Sequence, residues 1–82
     1  MEEVYVQRVE SLVNYIEIHL ISLEQDLSEL SERMDSIDPA SKYFDELDFE
    51  YNIKSGEITA TRHLLSVVND RMVTWKREKN NV

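Results

Sequence analysis

From Val6 to Ile37, apolar side chains recur every three or four residues without a slip: Val6, Val9, Val13, Ile16, Leu20, Leu23, Leu27, Leu30, Met34 and Ile37. With Val6 set as an a position, all ten occupy a or d of a heptad. That is the pattern of a helix whose narrow apolar seam lies against another helix. The helix expected from it covers about residues 3–35, roughly 50 Å at 1.5 Å per residue. The seam pauses at the only proline of the chain, within Ile37-Asp38-Pro39-Ala40-Ser41. Asp38 can accept from orphan N–H groups, and proline is tolerated at the first helical position. This segment therefore reads as a turn over about 36–41 followed by a helix start. The heptad then resumes as Phe44, Leu47, Tyr51, Lys54, Ile58, Thr61, Leu65, Val68, Met72 and Trp75, with Lys54 and Thr61 the polar exceptions. Gly56 costs about 1 kcal/mol in a helix interior relative to alanine. The phase nevertheless carries from Tyr51 through Ile58 to Leu65, which favours one helix over about 42–79. The fold class expected is all-α: an antiparallel, coiled-coil-like two-helix hairpin forming one domain over 1–82.

Apolar residues alone set a register for the hairpin. Val6 falls opposite Trp75, Val13 opposite Val68, Met34 opposite Leu47 and Ile37 opposite Phe44. Lys54 then faces Leu27, where its stem can cover apolar surface while the ammonium reaches water. The flanking e positions place Glu3 by Lys76, Glu17 by Arg62, Glu10 by Asn69 and Glu24 by Ser55. Two opposite-charge pairs and no like-charge pair result. Such exposed pairs contribute only ~0–1 kcal/mol each, so they select register more than they stabilise.

Composition narrows the alternatives. One Gly and one Pro in 82 residues leave too few turn formers for a β-meander or sandwich. The absence of Cys excludes a disulfide scaffold or thiolate metal site. No apolar run approaches the ~18 residues of a membrane span. The start Met1-Glu2-Glu3 lacks the basic region of a secretory signal, so the expected location is cytoplasmic and no membrane partner is expected. The net charge of -8 is distributed unevenly, with nine acids and two bases in residues 1–37 but two acids and five bases in residues 61–82. This balance opposes direct nucleic-acid binding, which needs a basic surface. The basic stretch from Arg71 to Lys79 suits the C-terminal end of a helix dipole.

The seam accounts for only part of the apolar content. On the g flank and neighbouring c positions, Tyr5, Leu12, Tyr15, His19, Ala60, Leu64 and Val67 form a second stripe toward the open end of the hairpin. A lone hairpin cannot bury it, and chains this small bury too little surface to be comfortably stable alone. The stripe is therefore the expected interface, either with a second copy, giving a homodimeric four-helix bundle, or with another protein. The competing reading is a wide core in a bent or three-helix monomer. Small Gly56 and Ala60, one turn apart, would let a further helix approach closely.

Catalytic, cofactor and metal residues are not expected. There is no Gly-flanked Ser on a strand-to-helix elbow and no Gly-rich phosphate loop, and neither His19 nor His63 belongs to a His-Glu-x-x-His motif. One carboxylate set needs weighing: Glu29-x-x-Glu32 and Asp45-x-x-Asp48, near the turn. It resembles the magnesium-binding carboxylate arrangement of helical nucleotide pyrophosphohydrolases, and that resemblance implies metal-assisted phosphate chemistry. Against it, Glu29 and Glu32 fall on outward c and f positions, and no basic cluster is placed to receive a nucleotide. A solvated acidic surface is the simpler account. The leading functional expectation is a non-enzymatic interaction protein (a small adapter, co-chaperone or regulatory inhibitor) using the apolar flank and the acidic surface. The alternative is an acidic DNA mimic. Glu3, Glu10, Glu17 and Glu24 repeat every seven residues, and acids crowd the turn end. In this the chain is similar to small acidic helical inhibitors found among phage and plasmid proteins.

Overall fold

The computed structural model describes residues 2–80, with side chains placed for residues 3–78. Met1, Asn81 and Val82, the ends of the expected 1–82 domain, lie outside the described residues. Helix α1 spans Glu2–Asp35 and helix α2 spans Lys42–Asn80. A helix of 39 residues is about 58 Å long. The molecule measures 63 × 16 × 13 Å, so it is one helix long and two helices across: a hairpin. No helix is long and apolar enough to cross a membrane among the described residues.

The turn works differently from the helix start expected at Asp38. At the end of α1 the amides of Ser36 and Ile37 donate to the carbonyls of Arg33 and Met34 at 3.2 and 3.3 Å. The Ser36 hydroxyl also donates to the Arg33 carbonyl at 2.8 Å. These three-residue closures occupy carbonyls that a helix end leaves orphaned. Asp38, Pro39, Ala40 and Ser41 then make a tight turn closed by the Ser41 amide on the Asp38 carbonyl at 3.0 Å. Asp38 Oδ1 accepts from the Ala40 amide at 3.0 Å, inside the turn and not inside the helix. Pro39 takes the second turn position, where its fixed φ fits. The cap of α2 is Ser41, whose Oγ accepts the Phe44 amide at 3.1 Å. Asp38 and Pro39 are thus turn residues, because the aspartate bonds two residues ahead and leaves the cap to the next hydroxyl.

Burial follows the heptad closely. All ten seam residues from Val6 to Ile37 are buried or half-buried, and so are nine of the ten from Phe44 to Trp75. Val13, Leu23, Leu30, Leu47 and Ile58 are the fully buried set. Leu47, only 3 % exposed six residues after the Ser41 cap, needs the last turns of α1 over it. That requirement holds the register near the one expected from Met34 and Ile37. Trp75 is the exception at 51 % exposed. Its counterpart Val6 lies one turn from the start of α1, so too little of α1 remains to cover an indole.

The two polar seam positions are accommodated locally. Thr61 Oγ1 donates to the Glu57 carbonyl at 2.7 Å, which satisfies the hydroxyl within its own helix. Lys54 is half-buried, and its ammonium lies 3.7 Å from Asp26 Oδ2. The lysine stem fills the seam while the charge leaves sideways. Helix α2 passes through Gly56 unbroken, without a positive φ.

Candidate interaction surface

Two ion pairs mark one side of the seam. Arg62 Nη2 lies 3.0 Å from Glu24 Oε1, and Lys76 Nζ lies 3.1 Å from Glu10 Oε1. These replace the expected partners Glu17 for Arg62 and Glu3 for Lys76. Each glutamate is one heptad further along than level packing would choose. The cause is side-chain direction. Helical side chains lean toward their own N-terminus, so in an antiparallel pair two long side chains lean past each other. Residues displaced by several positions therefore meet at their tips. All four partners are largely exposed, so each pair contributes ~0–1 kcal/mol.

Because e positions of both helices meet on that side, the g positions meet on the other. There Tyr5, Leu12 and His19 follow one another along the g positions of α1, and Leu64 takes a g position of α2, with Tyr15, Ala60 and Val67 one helical row further out. All seven are exposed. Tyr15, the extreme case, is 69 % exposed. The only ion pair among the described residues that reaches this flank is Lys54 with Asp26.

The uncovered apolar surface is larger than this stripe. Val4, Ile18 and Ile21 of α1 and Tyr43, Phe49, Ile53 and Val73 of α2 are also exposed. Among the described residues thirteen large hydrophobic side chains are exposed against five buried. Burial energetics favour hiding such groups by about 1.5–3 kcal/mol each, so the hairpin leaves a substantial part of that gain unused. Phe49 and Ile53 carry a sequence signal of their own. With Gly56, Ala60, Leu64 and Val67 they repeat at three or four residues, a second period hidden behind the stronger heptad.

The acidic quartet does not converge. Glu29, Glu32, Asp45 and Asp48 are all exposed, and none takes part in an ion pair among the described residues. Among those residues no three carboxylates or imidazoles gather closely enough to hold a metal ion. Outward positions on two thin helices spread carboxylates around the rod instead of into a shared pocket. An open groove of about 360 Å³ is lined by Glu24, Leu27, Ser55, Ile58, Thr59 and Arg62. It lies where small Ser55 underfills the side that the Glu24–Arg62 pair spans. Its one acid and one base are paired with each other, so no free titratable pair faces it.

Surface and fold together define an acidic helical hairpin that leaves much apolar area uncovered. Compared with family models, with curated proteins and with solved structures, the chain matches none of them.

Proposed function

We propose that the chain is a non-enzymatic protein–protein interaction module, of the adapter, co-chaperone or regulatory-inhibitor kind, that associates through its uncovered apolar surface. The observation that carries this reading is the extent of uncovered apolar surface: outside its seam, a rod two helices thick leaves a dozen large hydrophobic side chains exposed and fully buries only five. Patches of this extent mark interaction sites. The acidic quartet at the turn end supplies a charged surface for selecting a partner. The test combines size and capture. Light scattering at high micromolar concentration should report a species heavier than one chain. Immobilised chain should retain a partner from an extract of its own cells, and Leu12→Glu or Tyr15→Glu should release it. A chain that stays single and retains nothing overturns the reading.

A second reading is the acidic DNA mimic, and the exposed carboxylates near the turn favour it. Pairing of Glu10 with Lys76 and of Glu24 with Arg62 interrupts the seven-residue series of glutamates. The mimic would therefore act from the turn end.

A further inference from the structure

Along α2, Phe49, Ile53, Gly56, Ala60, Leu64 and Val67 succeed one another at helical spacing, and every one is exposed. They make a second apolar face about 27 Å long that runs along the outer side of α2 and reaches the flank of the seam at Leu64. A helix that is apolar on two sides is built to lie between two neighbours, and the hairpin supplies one.

The order of residues along this face says what the other neighbour is. About the midpoint between Gly56 and Ala60 the face is nearly palindromic: Phe49 balances Val67, Ile53 balances Leu64, and Gly56 balances Ala60. Charge reverses about the same point. Residues 42–57 carry five acids and two bases, whereas the mirror-image residues 59–74 carry one acid and two bases, followed by Lys76 and Arg77. A face that is palindromic in shape and reversed in charge is complementary to itself turned end for end.

We propose that α2 pairs antiparallel with α2 of a second copy through this face, crossing where Gly56 of each copy meets Ala60 of the other. The proposal rests on the reading that the uncovered apolar surface serves association, and it names one occupant. In this arrangement Phe49 covers Val67 of the second copy, and Ile53 lies beside its Leu64. The lean that joins Glu10 to Lys76 within the hairpin brings Glu50 to Arg71 of the second copy, and Asp45 to its Arg77. A parallel pairing would instead set the two acidic halves against each other. Gly56 fits the same picture: a Cβ there would meet nothing within 4 Å in the single chain, so the residue serves no packing inside the hairpin. Leu12, Tyr15, Ile18 and Ile21 of α1 stay uncovered, available to a different partner.

Sedimentation equilibrium tests the pairing. The unmodified chain should form a dimer. Phe49→Glu should raise its dissociation constant at least about tenfold with helicity unchanged, whereas Tyr15→Glu should change it less than about twofold. Glu50→Arg and Arg71→Glu should each weaken the dimer, and the two together in one chain should restore it. Because the chain has no Cys, a spin label on Thr74→Cys reports orientation cleanly: labels about 48 Å apart support the antiparallel crossing. Labels less than about 20 Å apart would overturn it in favour of parallel pairing. A dimer broken by Tyr15→Glu and indifferent to Phe49→Glu would overturn this face while keeping the association reading. A single chain at every concentration would overturn the pairing, and partner capture would then decide the broader reading separately.

Discussion

Replacing Gly56 with alanine separates the stability of the hairpin from that of its assembly. Gly56 is exposed, lies in the interior of an unbroken helix and has ordinary helical φ, so alanine brings no backbone strain. The added methyl meets nothing within 4 Å, so it brings no clash either. What remains is propensity, about 0.8–1 kcal/mol in favour of alanine. For a domain of 60–100 residues that corresponds to a rise in Tm of about 4–8 °C. Thermal and urea melts followed by far-ultraviolet circular dichroism would show it, measured at the lowest workable concentration so that association does not contribute. The same methyl has the opposite effect on the α2–α2 crossing, where it wedges the closest approach of two backbones. The variant should therefore melt higher when dilute yet dimerise more weakly when concentrated. An unchanged or lower Tm in dilute solution would refute the account of Gly56 as an unoccupied helix position. A higher Tm with an unchanged dimer would place the crossing elsewhere.

Other substitutions probe other parts of the rod. Ser41→Ala removes the cap on the Phe44 amide and should lower stability by about 1 kcal/mol, read as a shifted urea midpoint with unchanged slope. Lys54→Leu trades a long, partly exposed ion pair for a better-filled seam and should stabilise by about 1 kcal/mol; a loss would show that the Asp26 contact outweighs burial. Glu57→Gln removes the one acid of each copy that lies beside the proposed crossing point and should tighten the dimer modestly in sedimentation. For the mimic reading, a captured nucleic-acid-binding protein should be released by duplex DNA and by salt, and indifference to both would reject it.

The hairpin was legible because its determinants are local and redundant. Twenty seam positions and one proline point to the same fold, and nineteen of those positions are buried or half-buried. Charge partners were less legible: pairing Glu3 and Glu17 by level packing ignores the lean of long side chains, which selects Glu10 and Glu24 instead. The cap was misplaced because Asp38 and Ser41 are both competent, and only the backbone decides which hydrogen bond each makes. The apolar flank was visible in Tyr5, Leu12 and Leu64, but its extension through Phe49 and Ile53 was masked. A dominant heptad draws attention to one side of a helix, and a second period on the far side reads as scatter until burial is known. Trp75 shows the opposite error, since a heptad match says nothing about how near a residue lies to the end of the rod.

The Asp38–Ser41 turn also sets how the chain finds its fold. It lies in the connection between the two described helices, and of the interhelical seam layers the one flanking it encloses the least chain, so closing that layer costs the least chain entropy. Folding should start there and zip outward, each newly matched seam layer extending the last, which makes this a fast, low-contact-order chain. Protection of backbone amides against hydrogen exchange should accordingly be greatest around Leu30, Leu47 and Ile58 and decline toward Val6 and Trp75. The end that opens first is the end where Tyr5 and Leu12 wait uncovered, so the segment most easily loosened is also the one with the most to gain from being held.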